Sequence, residues 1–210
     1  MKTKFHIEIT QKALNSYFSE EAIDVIVSAN IRQDRIIYQF KHDYIHFDGS
    51  AFKEGFEYIE FQEKRIIENL RINQVLEARK SLGYILHSWQ DFYSHSNYIP
   101  LWLASNNFKP PEHVEWDDQS ILENNNLKSG KNYGVIEFLA MIPGLSKIIM
   151  PLIPEDSHTR MNIDSPMISS NFNYVYVAAL MRSENVIIKL LERMKKENIS
   201  HKNLAGFFGQ

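Results

Sequence analysis

The stretch Leu82–Asn97, LGYILHSWQDFYSHSN, decides how this chain is read. Leu86, Trp89, Phe92 and Tyr93 recur at helical spacing and mark a largely buried helix. On the same helix His87, Asp91 and His95 stand four residues apart. Each such step turns a side chain about 40° past a full circle, so the three line one face within roughly a quarter-turn. Two imidazoles and a carboxylate on a buried face need partners. A cation is a natural one; a polar, solvated helix face is the competing explanation.

Outward from this helix the apolar spacing stays helical. Ile9, Ala13, Leu14, Tyr17 and Phe18 form one stripe, and Ala22, Ile23, Ile26, Val27 and Ile31 form the next. Ser19 before Glu20 and Glu21 reads as an N-cap with acids in the first turn. Phe52 to Leu70 opens a long helix, and Asn73 is expected to cap the one that carries the motif. Val177 to Met194 marks another long helix. Phe40–Ser50, residues 104–132 and Ser157–Ser170 read as loops, the second with a short helix at DDQSILENN. The expected fold class is all-α, one bundle-like domain over residues 1–210.

Composition narrows the chemistry. With 210 residues, 23 Lys plus Arg, 26 Asp plus Glu and a net charge of -3, the chain lacks the basic excess of a nucleic-acid-coating surface. Cys is absent, which excludes disulfides, Cys-ligated zinc, iron–sulfur clusters and thiol catalysis. Any metal must be held by His, Asp, Glu or backbone groups. No signal-peptide pattern follows the opening lysines, so the expectation is cytoplasmic synthesis, with signal-independent export or action at a membrane as alternatives. Gly134–Pro154 is the most apolar stretch, but Glu137, Lys147 and prolines 143, 151 and 154 rule out a bilayer span. A buried helical hairpin turning at Pro143–Gly144 is the expected form, and a membrane-interface segment is its rival.

Further His and Asp residues stand where loops would deliver ligands: His6, Asp34, His46, His158 and Asp164. His42, His113 and His201 are taken as ordinary core or surface residues. Asp43, Asp48, Asp117 and Asp118 are taken as caps, turn formers or surface acids.

The order of these pieces carries a resemblance. HIEITQKAL, ANIRQD, HFDG-AFKEG, LGYILHSWQDFYSHSN and H-TRMNID-SP, spread over Met1–Pro166, resemble the zinc-dependent phospholipase C / S1-P1 nuclease superfamily, closest to its Het-C-type branch. The resemblance implies a helical fold of that type holding up to three Zn2+ ions. It places Asp34, His46, His87 and Asp91 on the first zinc, and bridges Asp91 to a second held by His6 and the main chain of Met1. A third would rest on His95, His158 and an acid, Asp164 in first place with Asp156 and Glu155 as alternatives. A zinc-bridging hydroxide would attack a phosphodiester, with Asp34 orienting it or accepting its proton. The implied function is a phospholipase C-like phosphodiesterase. A membrane-active cell-death protein and a single-strand nuclease are the alternatives. The implied partners are a phospholipid or membrane surface and a regulatory protein, with nucleic acid less favoured. Phe47, Trp102 and Trp116 are candidates for a lipid interface, against core packing.

Overall fold

Ser19 caps α2 (Glu20–Arg32) as its sequence predicts, its hydroxyl accepting from the Ala22 amide at 3.3 Å. α1 (Thr3–Leu14) precedes it and buries Phe5, His6, Ile9, Thr10, Ala13 and Leu14 along one side. The computed structural model describes residues 1–35, 42–140, 142 and 144–210. Phe40 and Lys41, part of one expected loop, lie outside them. The rest of that loop is more regular than expected: a single-turn helix α3 (Asp43–His46) leads through Phe47, in the left-handed region at φ 58°, into a 3-10 turn at Asp48–Ser50.

α4 (Phe52–Arg71) and α5 (Val75–His95) follow. Asn73 does not cap α5. It takes the left-handed conformation at φ 59° that ends α4, and Gln74 stands at the start of α5. Asn tolerates this conformation because its short polar side chain carries little steric penalty there.

α5 is the axis of the molecule. It packs against α1, α2, α4 and α11 (Phe172–Lys196), and every residue from Ile85 to His95 is buried. α6 (Tyr98–Ser105) buries Tyr98, Ile99, Trp102 and Leu103, while α7 (Gln119–Leu122) is capped by Asp118 through the Ser120 amide at 2.9 Å. Among the described residues there is no β-strand, only isolated bridges between Ser96 and Ser129 and between Lys131 and Ser157.

The aromatic residues proposed for a lipid interface have other tasks. Phe47 and Trp102 are fully buried core residues, each contributing about 1.5–3 kcal/mol of hydrophobic stabilisation or more. Trp116 and Trp89 flank Arg182, whose guanidinium lies 3.4 Å from the Trp89 ring centroid and 5.0 Å from that of Trp116. Arg182 also pairs with Asp117 at 3.2 Å, so Asp117 fastens the segment before α7 to α11 rather than serving as a plain surface acid.

The apolar stretch 134–154 departs most from expectation. It forms α8 (Val135–Ala140), α9 (Ser146–Ile149) and a 3-10 turn at Met150–Leu152, which pack chiefly on one another. Pro143 lies outside the described residues; Gly144 beside it has φ 91°. The hairpin is not buried: Val135 is 74% exposed, Ile148 66% and Leu152 64%. Ala140 and Ile153 are covered, but neither joins the main core. Polar ties hold its base. Thr159 donates to Glu137 at 3.1 Å, and Arg160 donates to the Met150 carbonyl at 2.7 Å. α10 (His158–Met161) follows, and α12 (His201–Phe208) closes the described chain. Among the described residues no helix is long and apolar enough to cross a membrane.

Candidate metal centre

Two glycines let the backbone approach closely enough to build the site. At Gly83 a Cβ would stand 2.4 Å from the Ile26 carbonyl and 2.8 Å from Ala29 Cβ, so only glycine allows α2 to lie this close to α5. That contact brings Asn30 and Asp34, at and beyond the end of α2, over His87. At Gly130 a Cβ would stand 2.5 Å from His158 Cα. The Gly130 amide donates to the His95 carbonyl at 3.3 Å and the Ile163 amide to that of Ser94 at 2.7 Å. These bonds tie the His158 loop to the end of α5.

Asp91 lies at the centre, fully buried. Its Oδ1 lies 2.6 Å from the Met1 amine and 3.2 Å from His6 Nε2; its Oδ2 lies 2.8 Å from His46 Nδ1 and 3.0 Å from His87 Nε2. Asp34 Oδ1 stands 3.8 Å from His87 Nε2. Asp164 Oδ1 lies 3.1 Å from the Met1 amine and 3.5 Å from His95 Nε2. His158 Nδ1 meets Asp48 Oδ1 at 2.9 Å, and His95 Nδ1 meets the same oxygen at 3.2 Å. Thus Met1, His6, Asp34, His46, His87, Asp91, His95, His158 and Asp164 converge on one buried cluster from six parts of the chain.

Their grouping differs from the one the resemblance implied. Ligand-type atoms of His6, Asp34, His87 and Asp91 lie within 4.8 Å of one another, and so do those of Asp48, His95 and His158. Asp48, taken from the sequence as a turn former, is the acid facing His95 and His158. It does sit in a turn, and that turn buries it to 6% exposure. Asp164 faces the amine and His95 instead. Asp156 pairs with Lys131 and Tyr133 outside the cluster. The signal missed in HFDG was spacing: the left-handed Phe47 reverses the chain, so that His46 and Asp48 both face α5.

The electrostatics favour cations. Four carboxylates, Asp34, Asp48, Asp91 and Asp164, converge with the amine and the imidazoles. Burial opposes the charge of the amine, yet Asp164, Asp91 and Asp34 together push it up from 8.0 to about 11. Burial would raise the Asp48, Asp91 and Asp164 carboxyls, but the facing cationic groups win and hold all three well below the usual range. Desolvation pulls His87 down to about 4, leaving it neutral and able to offer a lone pair. His95 Nε2 stands 3.1 Å from the amine. Burial and the nearby amine resist charge on His95, but Asp91 and Asp48 outweigh them and raise it above the ordinary imidazole value.

The architecture and the cluster define an all-α protein with a buried, carboxylate-rich histidine centre. The family model of the VWA7 N-terminal domain matches residues 4–128, and the chain belongs to that family. It is 30% identical over 95 residues to the von Willebrand factor A domain-containing protein 7 of Rattus norvegicus, covering 45% of this chain and 10% of that protein. The Homo sapiens protein of the same name is 29% identical over 100 residues, 48% of this chain and 11% of its own length. The chain therefore spans about a tenth of the length of these curated relatives. No solved structure matches. This membership corrects the resemblance drawn from the motifs: the chain is not assigned to the zinc-dependent phospholipase C / S1-P1 nuclease superfamily or its Het-C branch. The phospholipase, toxin and nuclease functions fall with that assignment. The motifs were real, but His and Asp at helical and loop spacing describe a kind of site rather than one lineage.

Proposed function

We propose that this domain is a divalent-metal-binding module, with Zn2+ the ion its donors suit best. One observation carries the reading: His6, Asp34, His87 and Asp91 bring ligand-type atoms within 4.8 Å of one another, all but Asp34 from fully buried side chains. Edges of about 3.3 Å are what a tetrahedral shell with ~2.0 Å bonds requires. His6 Nε2 lies 3.2 Å from Asp91 Oδ1, His87 Nε2 3.0 Å from Asp91 Oδ2 and Asp34 Oδ1 3.8 Å from His87 Nε2, separations of that order, with the two imidazoles on different oxygens of one carboxylate. His6 Nε2 and His46 Nε2 are buried with no hydrogen-bond partner among the described residues, an arrangement costly for protein alone and natural for ligands. Asp48, His95 and His158 form the second group, and the N and O donors suit zinc in both.

Bound there, such an ion supplies Lewis acidity toward water, and hydrolytic enzyme activity of that kind belongs to the proposal, with no substrate class attached. Asp34 and His158, 24% and 26% exposed at their side chains, mark the side open to solvent. Asp34 is placed to accept a proton on that side. The test is elemental analysis of protein stripped by chelator and refilled with zinc. At least one tightly held zinc per chain is expected, and its loss in Asp91→Asn. A native-like protein that retains no zinc after refilling refutes the reading.

The exposed hairpin favours a second, separate proposal, that this face meets a phospholipid surface. From Phe138 to Pro154 the one ionisable side chain is Lys147, and a projecting aliphatic face with a lone cation suits an anionic interface. Ile148→Glu should abolish co-sedimentation with anionic vesicles while leaving metal content unchanged. Retention on a protein partner without vesicle binding would assign the face to that partner instead.

A further inference from the structure

Behind the metal-facing atoms lies a second layer of buried polar groups: Thr10, Asn30, Gln90 and Ser183 are all inaccessible to solvent. None belongs to either ligand group. Their hydrogen bonds have a forced direction. Ser183 donates its hydroxyl proton to the Ala179 carbonyl at 2.7 Å, so toward Gln90 it can only accept. The amide nitrogen of Gln90 therefore faces Ser183 at 3.4 Å and Thr10 at 3.1 Å. Its oxygen must then face His6 Nδ1, which lies 2.6 Å away. An amide oxygen cannot donate, so His6 carries a proton on Nδ1, and in the neutral ring Nε2 is left bare toward Asp91.

The same direction passes to the second histidine. Gln90 Oε1 also accepts from Asn30 Nδ2 at 3.1 Å, and that nitrogen donates to Thr10 at 3.1 Å as well. Asn30 must turn its oxygen to His87 Nδ1, at 3.3 Å. His87 then donates from Nδ1 and also presents a bare Nε2. The two rings stack with centroids 4.5 Å apart and planes at 18°, which keeps both Nε2 atoms on one side.

We propose that Gln90 is the positioning residue of the centre: acting directly on His6, and through Asn30 on His87, it fixes both imidazoles in the Nδ1–H tautomer whose Nε2 lone pairs face the cation site. The inference rests on the metal-binding reading for its purpose but not for its geometry. Without such a clamp, each Nε2 beside the Asp91 carboxylate would take the proton itself, and the lone pair would face away from the site. Partners of this kind orient metal-ligating histidines generally, and their loss typically costs 10–100-fold in affinity.

The experiment has two arms. In the first, long-range 1H–15N correlation spectra of metal-free protein are recorded where the rings are neutral. His6 and His87 should both be protonated at Nδ1; a proton on Nε2 of His6 overturns the proposal whatever the protein does with zinc. In the second, zinc affinity is measured by competition with a chromophoric chelator. Gln90→Met should weaken binding by about 10–100-fold and move His6 to the Nε2–H form. Gln90→Glu loses the donor to Thr10 and Ser183 but keeps an acceptor oxygen toward His6, so it should keep the Nδ1–H form in the spectrum. Binding by Gln90→Met within about twofold of the parent also overturns the proposal. If Gln90→Met fails to fold, the parent spectrum still decides. A parent that shows the Nδ1–H form but takes no zinc refutes the metal-binding reading and leaves the clamp standing.

Discussion

The buried amine makes a quantitative demand on the chain that begins at Met1. Adding one glycine before Met1 turns this amine into an amide and moves the charge elsewhere. In the folded chain the amine's pKa stands near 11 against 8.0 for an ordinary one. Three units at about 1.4 kcal/mol each give about 4 kcal/mol of stability from the charged form. The sign follows from the raised value: the contribution is complete below pH 8 and is lost as pH climbs through 11. By pH 10 about 2–3 kcal/mol of it is gone. Metal-free protein with the added glycine should therefore unfold about 8–16 °C lower at pH 7. The gap should shrink by more than half by pH 10. Any steric cost of housing an extra residue at a fully buried site does not change with pH. The pH-dependent part of the difference therefore reports the charges around the amine, its ion pairs with Asp91 and Asp164 and the adjoining His95. Thermal unfolding of the two proteins in chelator, at pH 7 and pH 10, supplies both numbers. Equal gaps at the two pH values would show that the amine is not held by these carboxylates.

Other consequences are simpler to read. Asp48→Asn should lower zinc stoichiometry or weaken the second group, whereas Asp156→Asn, whose carboxylate serves Lys131 and Tyr133, should change neither, by elemental analysis. Zinc that recruits the amine must displace its proton, so calorimetry in buffers of different ionisation enthalpy should report release of at least one proton per chain at pH 7. Apparent affinity should accordingly rise from pH 6 to pH 9. Gly83→Ala drives a methyl against the Ile26 carbonyl; a loss of about 1–3 kcal/mol in denaturant unfolding is expected, with weaker zinc binding because Asp34 follows α2. Unchanged stability in that variant would contradict the close helix approach.

The helices were legible because their signal is local. The stripe of α1, the Ser19 cap and the apolar face around His87–His95 each follow from spacing within one element. The cluster was legible in part for the same reason: His87, Asp91 and His95 share a helix face. What the sequence hid depends on backbone reversals and on neighbours distant along the chain. Asp48 reads as a turn former because it is one; that Phe47 at φ 58° also aims it at His95 is a tertiary fact. Asn73 has the composition of a cap and ends the preceding helix instead. Asn30 and Gln90 have no spacing signature. Their role arises where α1, α2, α5 and α11 meet. The hairpin 134–154 misled through composition: apolar residues are expected inside, but these pack chiefly on one another and leave an outer face uncovered.

The family boundary cuts the centre unevenly. The matched segment, residues 4–128, contains His6, Asp34, His87 and Asp91, the whole of the first group, together with Asn30 and Gln90 behind it. The second group takes Asp48 and His95 from that segment but His158 from beyond it, and Met1 and Asp164 also lie outside. In the first group His6, His87 and Asp91 stand on helices that pack into one core, with buried amides behind both imidazoles, and Asp34 follows in the turn after α2. The second is closed by a loop held to α5 through Gly130 and Ile163, with His158 partly exposed. Order imposed by packed helices costs less to maintain than order imposed on a loop. The two groups should accordingly differ, the first tighter and slower to exchange, the second weaker. A domain that kept only the matched segment would retain the donors of the first group and lose those that close the second.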